Sequence, residues 1–170
     1  MKDINVYIEV DLKTPHVKSG HYGVVIEWKE RQEIETLVEV GFLEKTTRKR
    51  LEVAAIHQAF TKIPQKSRVM IYTDSAYLQG AFMQEWLKGW QRTGWKNAKG
   101  KEIKNKDLWE HAMFLAGSNE ISIVTAPKHC YSDWLKDQME QIDLAPGTCR
   151  IIKEEEETWQ KRKDLSKRTP

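Results

Sequence analysis

Four places in the sequence put a carboxylate where it could do chemistry. "INVYIEVDL" (residues 4–12) ends with Glu9 and Asp11 two residues apart, "TTRKRLEVAAIHQAF" carries Glu52, "RVMIYTD" ends on Asp74, and "YSDWLKDQMEQI" holds Asp133 near its start. Carboxylates gathered at one point repel one another unless cations lie among them, and an all-oxygen donor set suits Mg²⁺ or Mn²⁺. Two such ions about 4 Å apart can clamp the attacking and leaving oxygens of a phosphodiester. Acids are also common here, 25 of 170 residues, and strand ends and helix starts favour them for purely local reasons. The elements that carry the four positions decide between these readings.

Residues 4–12 read as a strand. After Pro, Ser and Gly punctuation, "YGVVIEWK" (residues 22–29) forms a hairpin with it, and "RQEIETLVEVGF" suits an exposed third strand behind a tight turn at residues 29–31. From residue 46 to 63 the period changes, and Val53, Ile56, Phe60 and Ile63 fall on one face of a helix that Pro64 follows. "RVMIYTD" is a short apolar run that reads as a buried fourth strand. Ser75 is placed to cap the next helix, and Asn105 starts another. "EISIVTAP" gives a fifth strand, and residues 131–142 a last helix. The order predicts an α/β fold, a five-stranded mixed β-sheet flanked by α-helices. In sheets with parallel neighbours ligands collect beyond the carboxyl ends of the strands, which is where the acids at the ends of strands one and four fall. Residues 1–145 read as one domain, and residues 146–170, acidic and then basic, as a charged C-terminal tail with no assigned function.

With 39% hydrophobic residues the chain can bury a real core. It shows no early apolar run with a cleavage-type flank and no run of ~18 uncharged apolar residues, so the expectation is a cytoplasmic protein without a membrane span. Cys130 and Cys149 are too few for a disulfide framework and lack zinc-ligand spacing, and both read as reduced thiols. The net charge of +3 means little as a total. Its distribution means more: between residues 84 and 106, seven Lys or Arg (Lys88, Arg92, Lys96, Lys99, Lys101, Lys104, Lys106) face two acids, Glu85 and Glu102. Trp86, Trp90 and Trp95 lie in the same stretch, the first two on one helix face. Clustered cations and aromatic surfaces suit a phosphate backbone and its sugars. The plainer reading is that Trp90 and Trp95 pack the base of a protruding helical hairpin. Both can hold at once.

The stretch "EWLKGWQRTGWKNAKGKEIKNKDLW", with W-x3-W-x4-W spacing followed by KN-x-DLW, closely resembles the basic protrusion of bacterial type 1 ribonucleases H. "YTDSAYL" resembles the family's TDS-x-Y segment, and "TTRKRLEVAAIHQAF" its TT-x-x-R-x-E-x-x-A helix. The likeness covers residues 4–142 and is strongest over residues 46–112. It implies an RNase H-like fold with a basic helical protrusion. It also implies a metal-dependent endoribonuclease that hydrolyses the RNA strand of RNA/DNA hybrids with two Mg²⁺ ions, Mn²⁺ being a possible substitute, and that works as a monomer without a small-molecule cofactor.

Carried over residue by residue, Glu52 and Asp74 match the second and third of the family's metal-binding acids, and Asp133 the fourth. Setting "VYIE" on the family's "IYTD" puts Glu9 at the first position, while a shift of two residues selects Asp11 on the same face of the strand. Glu is one methylene longer than Asp, and a placement error of ~1 Å costs about 10²-fold in rate, so reduced activity or a preference for Mn²⁺ is expected. Thr47, Trp86 and Asn105 stand where the family holds the DNA strand, with Lys88, Arg92, Lys96, Lys99 and Lys104 as further cations toward nucleic acid. Arg48 and Lys49 replace two Asn that read 2′-hydroxyls, Ala76 replaces a Gln, and Val10 a Gly. These changes favour phosphate binding over sugar reading. His129 in "PKHCYSD" is a candidate for the His that the family carries before its fourth acid to assist proton transfer. Two rivals remain: a catalytically lapsed module that binds nucleic acid or a protein partner, and a DNase or resolvase-like nuclease on the same fold, against which the protrusion argues.

Overall fold

The computed structural model describes residues 1–152, and the charged stretch from Lys153 onward lies outside the described residues. In chain order the elements are β1 (Lys2–Val10), β2 (Lys18–Glu30), β3 (Glu33–Thr46), α1 (Arg48–Phe60), β4 (Ser67–Thr73), α2 (Ala76–Met83), α3 (Trp86–Arg92), α4 (Lys106–Ala116), β5 (Glu120–Thr125), α5 (Ser132–Gln141) and β6 (Cys149–Ile151). One sheet runs in the order β5-β4-β1-β2-β3-β6. Its β1–β4 and β4–β5 pairings are parallel and the others antiparallel.

The sheet therefore has six strands rather than the expected five. β6 pairs with residues 39–41 of β3, so the third strand, expected to be exposed, is covered over its middle. Three residues behind a Pro-Gly turn carry no alternation from which a strand could be read. The β2–β3 turn is a two-residue loop at Arg31 and Gln32, with φ of 47° and 78°. Such left-handed pairs match the twist of a hairpin and usually fall on Asn or Gly.

Alternation along β1 divides the core. Ile4, Val6, Ile8 and Val10 face α1 together with Val24 and Ile26 of β2. Tyr7 points the other way, into a smaller cluster with Val25, Val38, Tyr131 and Leu135 beneath α5. Glu9 shares the parity of Tyr7 and so lies on the α5 side. Its strand partner is Gly23, where an added Cβ would stand 3.1 Å from Leu135, so α5 packs closely against the sheet beside Glu9.

Thr47 begins α1 by accepting a hydrogen bond from Arg50 N at 3.2 Å, and Leu51, Val53, Ile56 and Phe60 bury against the sheet. Full burial of each large apolar side chain is worth about 1.5–3 kcal/mol. Across α1 lies α4, whose Trp109 is fully buried and donates Nε1–H to the Tyr77 hydroxyl at 2.9 Å. Trp90 packs between Trp95 and Trp109, at ring separations of 6.4 and 6.3 Å. Trp95 is buried. The base of the protrusion is thus a tryptophan cluster, the plainer of the two readings for Trp90 and Trp95. Trp86 remains partly exposed, its ring seated over Gly80, where a Cβ would meet it at 2.5 Å. No helix among the described residues is long and apolar enough to cross a membrane.

Candidate active site

Three of the four acids come together where β1, α1 and β4 end or begin. Glu9, in β1, and Glu52, on the second turn of α1, are both buried, and Asp74 follows β4 directly. Two cationic side chains link them. Lys13 Nζ, from the loop after β1, lies 2.9 Å from Asp74 Oδ2 and 4.0 Å from Glu9 Oε1. Arg48, the first residue of α1, places Nε 2.8 Å from Glu52 Oε1 and a terminal nitrogen 3.5 Å from Asp74 Oδ1. Ser75 donates its hydroxyl to Glu52 Oε2 at 2.5 Å while accepting from Leu78 N as the cap of α2.

Glu9 is the least satisfied of the three. Its Oε2 is buried without a well-formed hydrogen bond, and burial pushes its pKa up against the opposing pull of Lys13, Lys136 and the nearby Ser132 hydroxyl. Asp11, the alternative first acid, is engaged elsewhere: it accepts from His21 N at 2.6 Å and pairs with His21 Nδ1 at 2.6 Å. Asp133 sits in the first turn of α5 but is fully exposed and pairs with Lys128 at 3.0 Å, which holds its carboxyl below the usual range. It shares neither Lys13 nor Arg48.

His129 does not stand free. Its Nδ1 accepts from Tyr131 N at 3.2 Å, so Nε2 carries the hydrogen and donates to the Ile8 carbonyl at 2.9 Å. Burial lowers its pKa further, and the neutral ring ties the head of α5 to β1 one residue before Glu9. Both ring nitrogens of this candidate for proton transfer are thus engaged within the chain.

Beside the acids runs a groove of about 800 Å³ lined by Lys13, Lys45, Arg48, Lys49, Arg50 and Lys104, with Thr47, Tyr77, Trp90 and Asn105 between them and no acid in its wall. Lys49 holds its ammonium 5.1 Å above the Tyr77 ring, a cation–π contact. Asn105 does not cap α4 with its side chain. Its φ is 64°, and its Oδ1 accepts from Arg50 at 3.3 Å, while Arg50 also forms a fork with Asp107 at 3.0 and 2.7 Å. Lys13 and Arg48 are the groove cations turned toward the acids. Farther out, Lys88 pairs with Glu85, whereas Arg92, Lys96 and Lys99 stand exposed on the protrusion.

Lys13 was not legible in the sequence, because a Lys in a Pro-containing loop has no spacing to mark it. Arg48 was legible only as a phosphate-binding replacement for a sugar-reading Asn, although its i, i+4 relation to Glu52 was available as a pairing signal. As they stand, no three acidic, His or Cys side chains among the described residues are close enough to hold a metal ion as a set. The donors nevertheless fit one: they are carboxylate oxygens, the ligands Mg²⁺ and Mn²⁺ take, and the orphaned Glu9 Oε2 is an unused acceptor. The ammonium of Lys13 must withdraw for an ion to enter.

The RNase H family model matches residues 9–134, a span that begins at Glu9 and closes just past Asp133. Ribonuclease H of Symbiobacterium thermophilum is 30% identical over 150 residues, covering 87% of this chain and 99% of its own length. Ribonuclease H of Thermus thermophilus is 45% identical over 71 residues, 42% of each chain. Among solved structures, LC9-RNase H1, described as a type 1 RNase H with the type 2 active-site motif, superposes with a TM-score of 0.72 at 22% identity, covering 99% of this chain and 86% of that one. The foamy viral protease-reverse transcriptase in complex with RNA/DNA hybrid superposes with a TM-score of 0.56 at 21% identity, covering 73% of this chain and 17% of that one. With the family model spanning most of its length and a bacterial ribonuclease H matched from end to end, the chain belongs to the RNase H family of ribonucleases.

Proposed function

We propose that this ribonuclease hydrolyses the RNA strand of RNA/DNA hybrids with the help of divalent metal ions. The observation that carries the reading is the convergence of Glu9, Glu52 and Asp74 at the edge of an acid-free cationic groove. A nuclease needs those two surfaces in contact: one that grips phosphate and one that places oxygen donors at the scissile bond. Glu9, Glu52 and Asp74 would hold the metal, and Asp133 would join them once it leaves Lys128. A bound divalent ion supplies an acidified water and offsets the charge that develops on the leaving oxygen.

The remaining work falls to the chain itself. Ser75 fixes the Glu52 carboxylate by holding one oxygen. Thr47, Lys49, Lys104 and Asn105 line the path for a phosphate backbone, and Trp86 with Lys88, Arg92, Lys96 and Lys99 extends it along the protrusion. His129 positions Glu9 by tying α5 to the Ile8 carbonyl and does not carry a proton. With Lys49 beside the groove in place of a 2′-hydroxyl-reading amide, grip comes from phosphate charge, and preference for hybrid over other duplexes is weaker than an amide pair would give.

A second reading is favoured by the same cations. Lys13 and Arg48 already neutralise much of the acid charge, as they would in a module that binds hybrid without cutting it. Labelled RNA/DNA hybrid, dsRNA and dsDNA incubated with the protein in Mg²⁺ and then Mn²⁺ separate the two. Hybrid cleavage that Asp74→Asn abolishes supports the enzyme. Salt-sensitive binding without cleavage in either metal supports the module.

A further inference from the structure

We infer that Arg48 stands in for one of two divalent ions, so that this site takes a single ion, on its Glu9 and Asp74 side, in the place Lys13 fills. The inference rests on the reading of these acids as the active site. Its ground is the difference between the two cations.

Arg48 is built in. It begins α1 four residues before Glu52, so helix geometry sets its Nε on Glu52 Oε1 at 2.8 Å, and its far end reaches Asp74 at 3.5 Å. A guanidinium keeps its charge at any working pH and presents a rigid fork of donors. The second oxygen of Glu52 is taken by Ser75, so both its oxygens are satisfied by the chain. Glu52 is thus the acid of the site whose charge the chain itself already answers.

Lys13 is the opposite case. It lies on the loop after β1, outside any helix or strand, and a flexible four-carbon stem carries its charge. It reaches Glu9 only at 4.0 Å, too far for a hydrogen bond, and leaves Glu9 Oε2 buried without a well-formed one. A buried carboxylate oxygen without a donor is costly, and an ion replacing the ammonium removes that cost. Charge points the same way. Before substrate binds, the three carboxylates are balanced by one guanidinium and one divalent ion. With Arg48 in place, its free N–H groups face the charge on the substrate's phosphate oxygens, a charge-assisted contact.

Bound Mn²⁺ counted by electron paramagnetic resonance on the full chain tests this, taking only the ions that disappear in Asp74→Asn. One ion is expected for the wild type and for Arg48→Lys, and two for Arg48→Asn. Lys13→Ala should leave the count at one and lower the Mn²⁺ concentration for half-saturation about fivefold. With hybrid at saturation, the cleavage rate should rise with the first power of Mn²⁺ concentration in the wild type and with the second power in Arg48→Asn. Two ions or second-order dependence in the wild type, or a first-order Arg48→Asn, overturns the inference while cleavage itself still supports the hybrid nuclease. If no ion depends on Asp74, both fall.

Discussion

The Ser75 hydroxyl lies 2.5 Å from Glu52 Oε2 and 3.0 Å from Leu78 N, so a single oxygen caps α2 and fixes a carboxylate of the site. Ser75→Ala removes both contacts. It should cost about 1–2 kcal/mol, read as a lower urea midpoint at unchanged slope, and should lower kcat on hybrid about tenfold. Ser75→Thr keeps the hydroxyl and should restore most of each.

Glu9 and Asp11 should separate cleanly. Glu9→Gln removes the buried carboxylate beside Asp74 and is expected to cost at least about 10²-fold in hybrid cleavage, whereas Asp11→Asn, acting through His21, should leave kcat within about threefold. Steady-state rates in Mg²⁺ check both, and the reverse order would move the first acid to Asp11.

His57 Nε2 and His111 Nδ1 stand 2.8 Å apart between α1 and α4, so one ring donates and the other accepts. Burial, and then the neighbouring His111, lower the pKa of His57. The folded state therefore binds its proton more weakly than the unfolded chain does. The stabilisation is complete above the ordinary His pKa of about 6.5 and falls as pH drops through it toward the lowered folded value. Thermal melts from pH 8 to pH 5 should show a falling Tm that His57→Gln flattens.

Glu27 is a buried carboxylate that accepts from Tyr131 at 2.7 Å, from Asn5 at 3.1 Å and from Tyr7 at 3.4 Å. Tyr131→Phe should destabilise by about 1–3 kcal/mol, because the carboxylate loses its shortest donor. Coupling measured against Glu27→Gln in a double-mutant cycle should be favourable and should vanish if the carboxylate is not the partner.

Lys96 and Lys99 stand exposed on the protrusion. If they meet phosphates, replacing both with Ala should reduce the slope of log affinity against log salt for hybrid by roughly 0.9 per contact, with no change in kcat at saturation. Filter binding at several salt concentrations reads the slope, and an unaltered slope would take them out of the interface.

What the sequence made legible follows from the range of the forces involved. The helix face of Val53, Ile56 and Phe60, the cap at Ser75 and the apolar run of β4 are local patterns, and the structure repeats them. The convergence of Glu9, Glu52 and Asp74 was legible through motif likeness and the strand-end rule. The partners of these acids were not, because Lys13 meets Asp74 across sixty-one positions and nothing local marks the pair. His129 read as a catalytic candidate from type and place, yet its two hydrogen bonds belong to a packed corner that no spacing reveals. β6 escaped for a similar reason: a three-residue strand is specified by its partner rather than by its own pattern.

The position of β6 also bears on how the chain reaches this structure. β3 is complete at Thr46, but the strand that covers its middle begins only at Cys149. During synthesis the β1–β2–β3 meander must therefore wait with open backbone donors and acceptors along β3, available to any other extended chain, until more than a hundred further residues have been made. A chaperone that shields extended backbone would find a target there, and truncation before Cys149 should leave the middle of β3 open to self-association.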